Sequence, residues 1–167
     1  MAIAVADLSP LSDSSVAAPS KAISVVVVHE HPLFRVGLCS FLGQQGDCRL
    51  IGATTQLEEV LLLVREQHPD VVLLDGGLTT TDPLTLVQQL RLLGVPGILV
   101  FAPPMGDEET LFRFLMHGAT AYEDRSISGE ELAAKIHRLA RGECLVAGDV
   151  LPIQAARRQR LAQLHRD

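Results

Sequence analysis

Asp75 ends an apolar run, Val71-Val72-Leu73-Leu74, and is followed directly by Gly76 and Gly77. A carboxylate at such a position can attack a phosphoryl donor and become an aspartyl phosphate, and it can equally cap a turn. Glu30 is a second acid in a similar setting, just after Ile23-Ser24-Val25-Val26-Val27-Val28. Two carboxylates brought to one crevice repel, and a hard divalent cation neutralises them. Magnesium suits such a place, because it takes one or two carboxylates and completes its shell with waters and phosphate oxygens. Alone, Glu30 can also be a solvated loop acid.

His29 and His31 flank Glu30. A His-x-His pair offers a transition metal only two ligands, an incomplete set. His68, His117, His137 and His165 show no complementary spacing, so capping or structural roles suit them better. Cys39, Cys48 and Cys144 are odd in number and lack metal-ligand spacing. A reduced, cytoplasmic compartment is the simplest expectation.

The elements that must position Asp75 and Glu30 follow a strict rhythm. Ile23 to Val28 lacks polar alternation, as expected of a strand covered on both faces. Arg49–Thr54, Val71–Leu74, Ile98–Phe101 and Thr120–Tyr122 are the further predicted strands. Between them, helices are predicted from Pro32, over Leu57 to about Gln67, from Asp82-Pro83 to about Leu93, and over Asp107 to Met116. A fifth helix opens on the capping pattern Ser128-Gly129-Glu130-Glu131 and ends near Gly142. Alternating strands and helices imply a parallel sheet clad on both faces. In such sheets ligands sit beyond the carboxyl ends of the strands. That rule gathers His29-Glu30-His31, Asp75 to Leu78 and Ala102-Pro103 at one rim.

The chain has 167 residues, enough for one domain with an appendage. Residues 1–21 are small and polar and are expected to be a disordered leader. They have no basic start and no long apolar run, so neither a secretory signal nor a membrane span is expected. The folded domain is expected to cover 22–150, and 151–167 is expected to be a helical tail or linker. A net charge of −6 argues against a general nucleic-acid-binding surface. Arg157, Arg158, Arg160 and Arg166 in the tail suit the wet face of a helix better than a phosphate-binding arm.

The segment Val27-Val28-His29-Glu30-His31-Pro32-Leu33-Phe34-Arg35-Val36-Gly37-Leu38 resembles the start of NarL/FixJ-type receiver domains of response regulators. His68-Pro69-Asp70-Val71-Val72-Leu73-Leu74-Asp75 looks like the strand that carries their phosphorylated aspartate. His117-Gly118-Ala119-Thr120-Ala121-Tyr122 and Ser128-Gly129-Glu130-Glu131-Leu132 resemble the turn and last helix of that family. The motifs occur in order from about Ile23 to Val150.

This resemblance implies a flavodoxin-like (βα)5 doubly wound parallel sheet of order 2-1-3-4-5, a role in two-component signalling, and no enzymatic activity. It makes Asp75 the phosphoacceptor, Glu30 one of two magnesium-holding acids, and the Gly77 main-chain carbonyl a third metal contact. His29 stands where the other acid is expected, and imidazole is a poor ligand for magnesium. The switch hydroxyl aligns with Ala102, the family lysine with Arg125, the reporting aromatic residue with Tyr122, and the loop proline with Thr79. Bound Mg2+ is therefore expected to be weak or absent.

Three functions follow as expectations. The first is a phosphorylation-independent receiver acting in transcriptional control through protein contacts, as a homodimer. The second is a magnesium-dependent receiver phosphorylated on Asp75 by a histidine kinase. The third is a small-molecule-binding domain using the crevice beside Gly76, Gly77 and Ala102. In NarL/FixJ-type regulators a helix-turn-helix domain follows the receiver. DNA contact is expected only through such a domain, whose start would fall near Asp167. The chain is expected to be either a fragment or a stand-alone receiver.

Overall fold

A computed structural model describes residues 21–145. All but Lys21 of the expected leader, and the helical tail expected over 151–167, lie outside the described residues.

The elements alternate as β1 (Ile23–Val28), α1 (Pro32–Gln44), β2 (Cys48–Thr54), α2 (Leu57–Gln67), β3 (Val71–Asp75), α3 (Pro83–Leu92), β4 (Gly97–Phe101), α4 (Glu108–His117), β5 (Ala121–Glu123) and α5 (Gly129–Ala140). The five strands form one sheet of order β2-β1-β3-β4-β5, and every neighbouring pair is parallel. The flavodoxin-like expectation therefore holds.

Boundaries moved where local chemistry outweighs apolar pattern. β2 starts at Cys48 and β4 at Gly97, one residue earlier than expected. β5 starts at Ala121 rather than Thr120. The Thr120 hydroxyl accepts from the Ile98 N–H at 2.9 Å, which makes Thr120 the entry latch of β5 rather than a ladder residue. α5 stops at Ala140, and Gly142 (φ +82) lies in the turn beyond it. Side-chain caps open the last three helices: Asp82 accepts from Leu84 N–H, Asp107 from Thr110 N–H and Ser128 from Glu131 N–H.

Side chains alternate across a strand, so each strand feeds two cores. Val26, Val28, Val72, Leu74, Ile98 and Val100 pack with α2, α3 and α4. Val25, Val27, Val71, Leu73, Leu99 and Phe101 pack with α1 and α5. The same parity continues past the last apolar residues. Asp75 follows Leu73, and His29 follows Val27, onto the α1/α5 face.

Ser24 is the one polar residue inside the apolar β1 run, and it is buried. Its N–H and its hydroxyl both donate to Asp70 Oδ2 at 2.9 Å, and the Asp70 N–H donates back to its Oγ at 3.0 Å. This latch joins the start of β1 to the start of β3 and fixes their register. Breaking it orphans buried donors, which costs about 1–3 kcal/mol. Asp70→Ala is expected to lower unfolding stability by that amount in urea titration. Ser24→Ala in the Asp70→Ala background should then add little; full additivity would mean the two side chains are not coupled.

Candidate functional site

The rim of the sheet brings β1, β3 and β4 together at their carboxyl ends. Asp75 bends there because Gly76 follows it. The Gly76 N–H donates to the Phe101 carbonyl at 2.9 Å, and a Cβ at Gly76 would lie 2.6 Å from that same oxygen. Only glycine permits this approach, which seats Asp75 beside the end of β4.

Asp75 is 2% exposed. Its Oδ1 accepts from the Gly77 N–H at 2.8 Å and faces Arg125 Nη2 at 3.3 Å. Its Oδ2 accepts from the Glu30 N–H at 3.3 Å. Both oxygens are thus served by main-chain donors from two loops and by one guanidinium.

His29 is fully buried and stacks in an aromatic cluster, with Phe34 at a centroid distance of 4.6 Å and Phe101 at 6.1 Å. Its Nδ1 accepts from the His31 N–H at 3.1 Å. That bond uses the lone pair, so the ring is neutral with its proton on Nε2. The 3.5 Å approach of Nδ1 to Asp75 Oδ2 is then a packing contact and not an ion pair. Burial pushes the imidazole down to about 4; the Asp75 charge opposes this, and Arg125, His31 and Arg35 add to the fall. His29 Nε2 is buried with no partner among the described residues. The His29 carbonyl accepts from Arg35 at 2.7 Å, which anchors the strand end to α1.

Glu30 turns away from Asp75. Its Oε1 accepts from the Thr79 hydroxyl at 2.6 Å and the Thr79 N–H at 3.2 Å. The magnesium site implied by the resemblance therefore does not fit the residues present. One expected acid is an imidazole sealed among aromatic rings. The other is committed to Thr79, and Asp75 Oδ1 faces a cation. Among the described residues, no group of three or more His, Cys, Asp or Glu is placed to hold a metal ion.

Ala102 directly follows β4; its N–H donates to the Glu123 carbonyl at 2.8 Å, and its methyl offers no hydrogen bond. Tyr122 points to the other face, against Phe114 at 6.0 Å. Its hydroxyl is buried with no partner among the described residues. A Cβ at Gly106 would come within 2.8 Å of that hydroxyl, so the loop after β4 closes directly over it. Burial pushes the phenol up, and the Asp107 charge adds to this.

The structure thus gathers His29, Glu30, Asp75, Gly77 and Arg125 at one rim and leaves Tyr122 facing away. Sequence reasoning assigned no role to Phe34, Arg35 or Phe101, which hold His29. Phe34 and Arg35 sit in the His-Pro-Leu-Phe-Arg stretch, so a signal was there; Phe101 gave none. His117 Nδ1 meets the Arg113 carbonyl at 2.6 Å, and His137 pairs with Asp47 at 2.5 Å.

The His29 shift gives a signed prediction. Its folded value, about 4, lies below the 6.5 of the unfolded chain, so the unfolded state binds more protons between these pH values. Stability from neutral His29 is complete above pH 6.5 and is lost as pH falls toward 4. Between pH 7 and 5 the wild type is expected to lose roughly 1–2 kcal/mol more than His29→Asn in urea unfolding. An equal loss in both proteins would place the titration elsewhere.

The model of the response regulator receiver domain family matches residues 25–137. The nitrate/nitrite response regulator NarL of Escherichia coli K12 is 26% identical over 80% of this chain and 62% of its own length. The match therefore spans about three-fifths of that relative. The response regulator VraR of Staphylococcus aureus is 26% identical over 86% of this chain and 68% of its own. Among solved structures, the receiver domain of NarL from Mycobacterium tuberculosis superposes with a TM-score of 0.67 at 24% identity, covering 74% of this chain and 99% of that one. No helix among the described residues is long and apolar enough to cross a membrane. A family match over most of the chain, on the sheet order found here, agrees with an aspartate at the end of β3: the chain belongs to the response regulator receiver domain family, the signalling module of two-component systems.

Proposed function

We propose that this receiver works without phosphorylation of Asp75 and passes its signal through protein–protein contact, as a homodimer, in transcriptional control. The observation that carries this is that Asp75 is already compensated. Three donors hold its two oxygens, and the cation among them is Arg125, at 3.3 Å. A nucleophilic carboxylate needs a free oxygen aimed at phosphorus. Here a guanidinium, a planar fork rather than a compact ammonium, stands against one of them.

The neighbouring departures point the same way. A phosphoryl group on Asp75 would find no hydroxyl at Ala102. Glu30, the acid that would help to neutralise it through a metal, is tied to Thr79. Exposed Met105 and Met116, flanking and on α4, offer apolar contact surface to a partner protein. A histidine kinase is not required for this mode, and DNA would be reached only through a further domain.

Incubation with acetyl phosphate and magnesium, followed by intact-mass measurement, is expected to give no phosphoryl adduct. An adduct that disappears in Asp75→Ala would sink the proposal. Ala102→Thr combined with His29→Asp is expected to restore labelling if those two departures are the cause. Sedimentation at micromolar concentration should show a dimer that persists in Asp75→Ala; a strict monomer would remove the dimer from the proposal.

A further inference from the structure

Phe41 of α1 packs against Gly129 at the start of α5, and beside that contact the two helices stand apart. A cleft of about 310 Å³ lies between them, walled by Leu33, Phe34, Phe41 and Leu132. Fully buried Phe101 contributes to its lining, and Leu33, 83% exposed, stands at the surface. This volume falls at the lower end of small-molecule sites, which run from roughly 300 to 1,000 Å³.

Among the described residues that line the cleft, Arg125 alone carries a charge. It gives Asp75 only Nη2, and its side chain is 29% exposed. A guanidinium carries five N–H donors in a planar fork that matches a carboxylate. Apolar walls and one under-used guanidinium together specify an occupant: an apolar body with one anionic head.

We propose that this cleft binds a small amphipathic carboxylate, its apolar part against Phe34, Phe41 and Leu132 and its carboxylate paired with Arg125. A monoanion is the better match than a phosphate dianion, because Asp75 lies beside the single cation and repels the second charge. A cleft that reaches from exposed Leu33 to buried Phe101 has apolar depth for a methylene chain or ring. The bound carboxylate competes with Asp75 for Arg125, while Asp75 keeps the Gly77 and Glu30 N–H groups. Occupancy of the cleft and the environment of Asp75 are thereby coupled, and such coupling is reciprocal. The proposal goes beyond the phosphorylation-independent reading and does not depend on it; an adduct on Asp75 would end that reading and leave the cleft as it is.

Calorimetric titration with octanoate, and with octanol as the uncharged control, tests the proposal. Octanoate is expected to bind saturably and octanol about tenfold or more weakly, as loss of one charge-assisted pair implies. Arg125→Gln should erase that difference. Gly37 lines the cleft, and an added Cβ there meets nothing within 4 Å. Gly37→Phe therefore adds a ring at the cleft wall without strain in α1 and should weaken binding while its thermal unfolding midpoint holds or rises. Asp75→Asn, which frees the guanidinium, should bind octanoate more tightly. No saturable binding of octanoate, equal affinity for octanol, undiminished binding in Gly37→Phe, or no gain in Asp75→Asn would each overturn the proposal.

Discussion

A carboxylate taken almost wholly out of water needs charges or dipoles in its place. At Asp75 those are the N–H groups of Gly77 and Glu30 and the guanidinium of Arg125. Each comes from a different loop, so the arrangement requires β1, β3 and the segment after β5 to end at one rim. The sheet order provides this by setting β1 and β4 on either side of β3. Gly76 provides the rest, because its close approach to the Phe101 carbonyl turns Asp75 at the right place. Removal of any donor leaves part of a buried charge uncompensated.

The departures from the receiver pattern make sense as one electrostatic arrangement. Two acids beside Asp75 would need a divalent ion to coexist with it. With a neutral imidazole at His29 and Glu30 turned to Thr79, the local negative charge is smaller, and a single guanidinium suffices. His29 also gains apolar packing against Phe34 and Phe101 that an acid would lack. Imidazole, guanidinium and threonine latch therefore support one another.

The strands and helices were legible because burial on both faces leaves unbroken apolar runs, and Asp82, Asp107 and Ser128 announce the helix starts. Boundaries shifted by a residue where a hydroxyl such as that of Thr120 took over a strand-end hydrogen bond. Residue types at the site were legible too, since ordered motifs place Asp75, Glu30 and Arg125. Their orientations were not. That Glu30 bonds Thr79, 49 positions away, and that His29 sinks between rings from α1 and β4, depend on contacts that no local spacing encodes.

A switch needs two arrangements close in energy. Ala102 offers no hydroxyl for which Tyr122 could exchange positions, and the Gly106 loop covers the phenol where it stands. His29 is sealed, and Glu30 holds two bonds from Thr79. Arg125 differs from these. Its contact with Asp75 is a single one at 3.3 Å, its side chain is 29% exposed, and its Nε has no partner. It also borders both the Asp75 carboxylate and the cleft between α1 and α5. Taking Arg125 from Asp75 would leave part of that buried charge uncompensated, so the two places are linked through this one side chain.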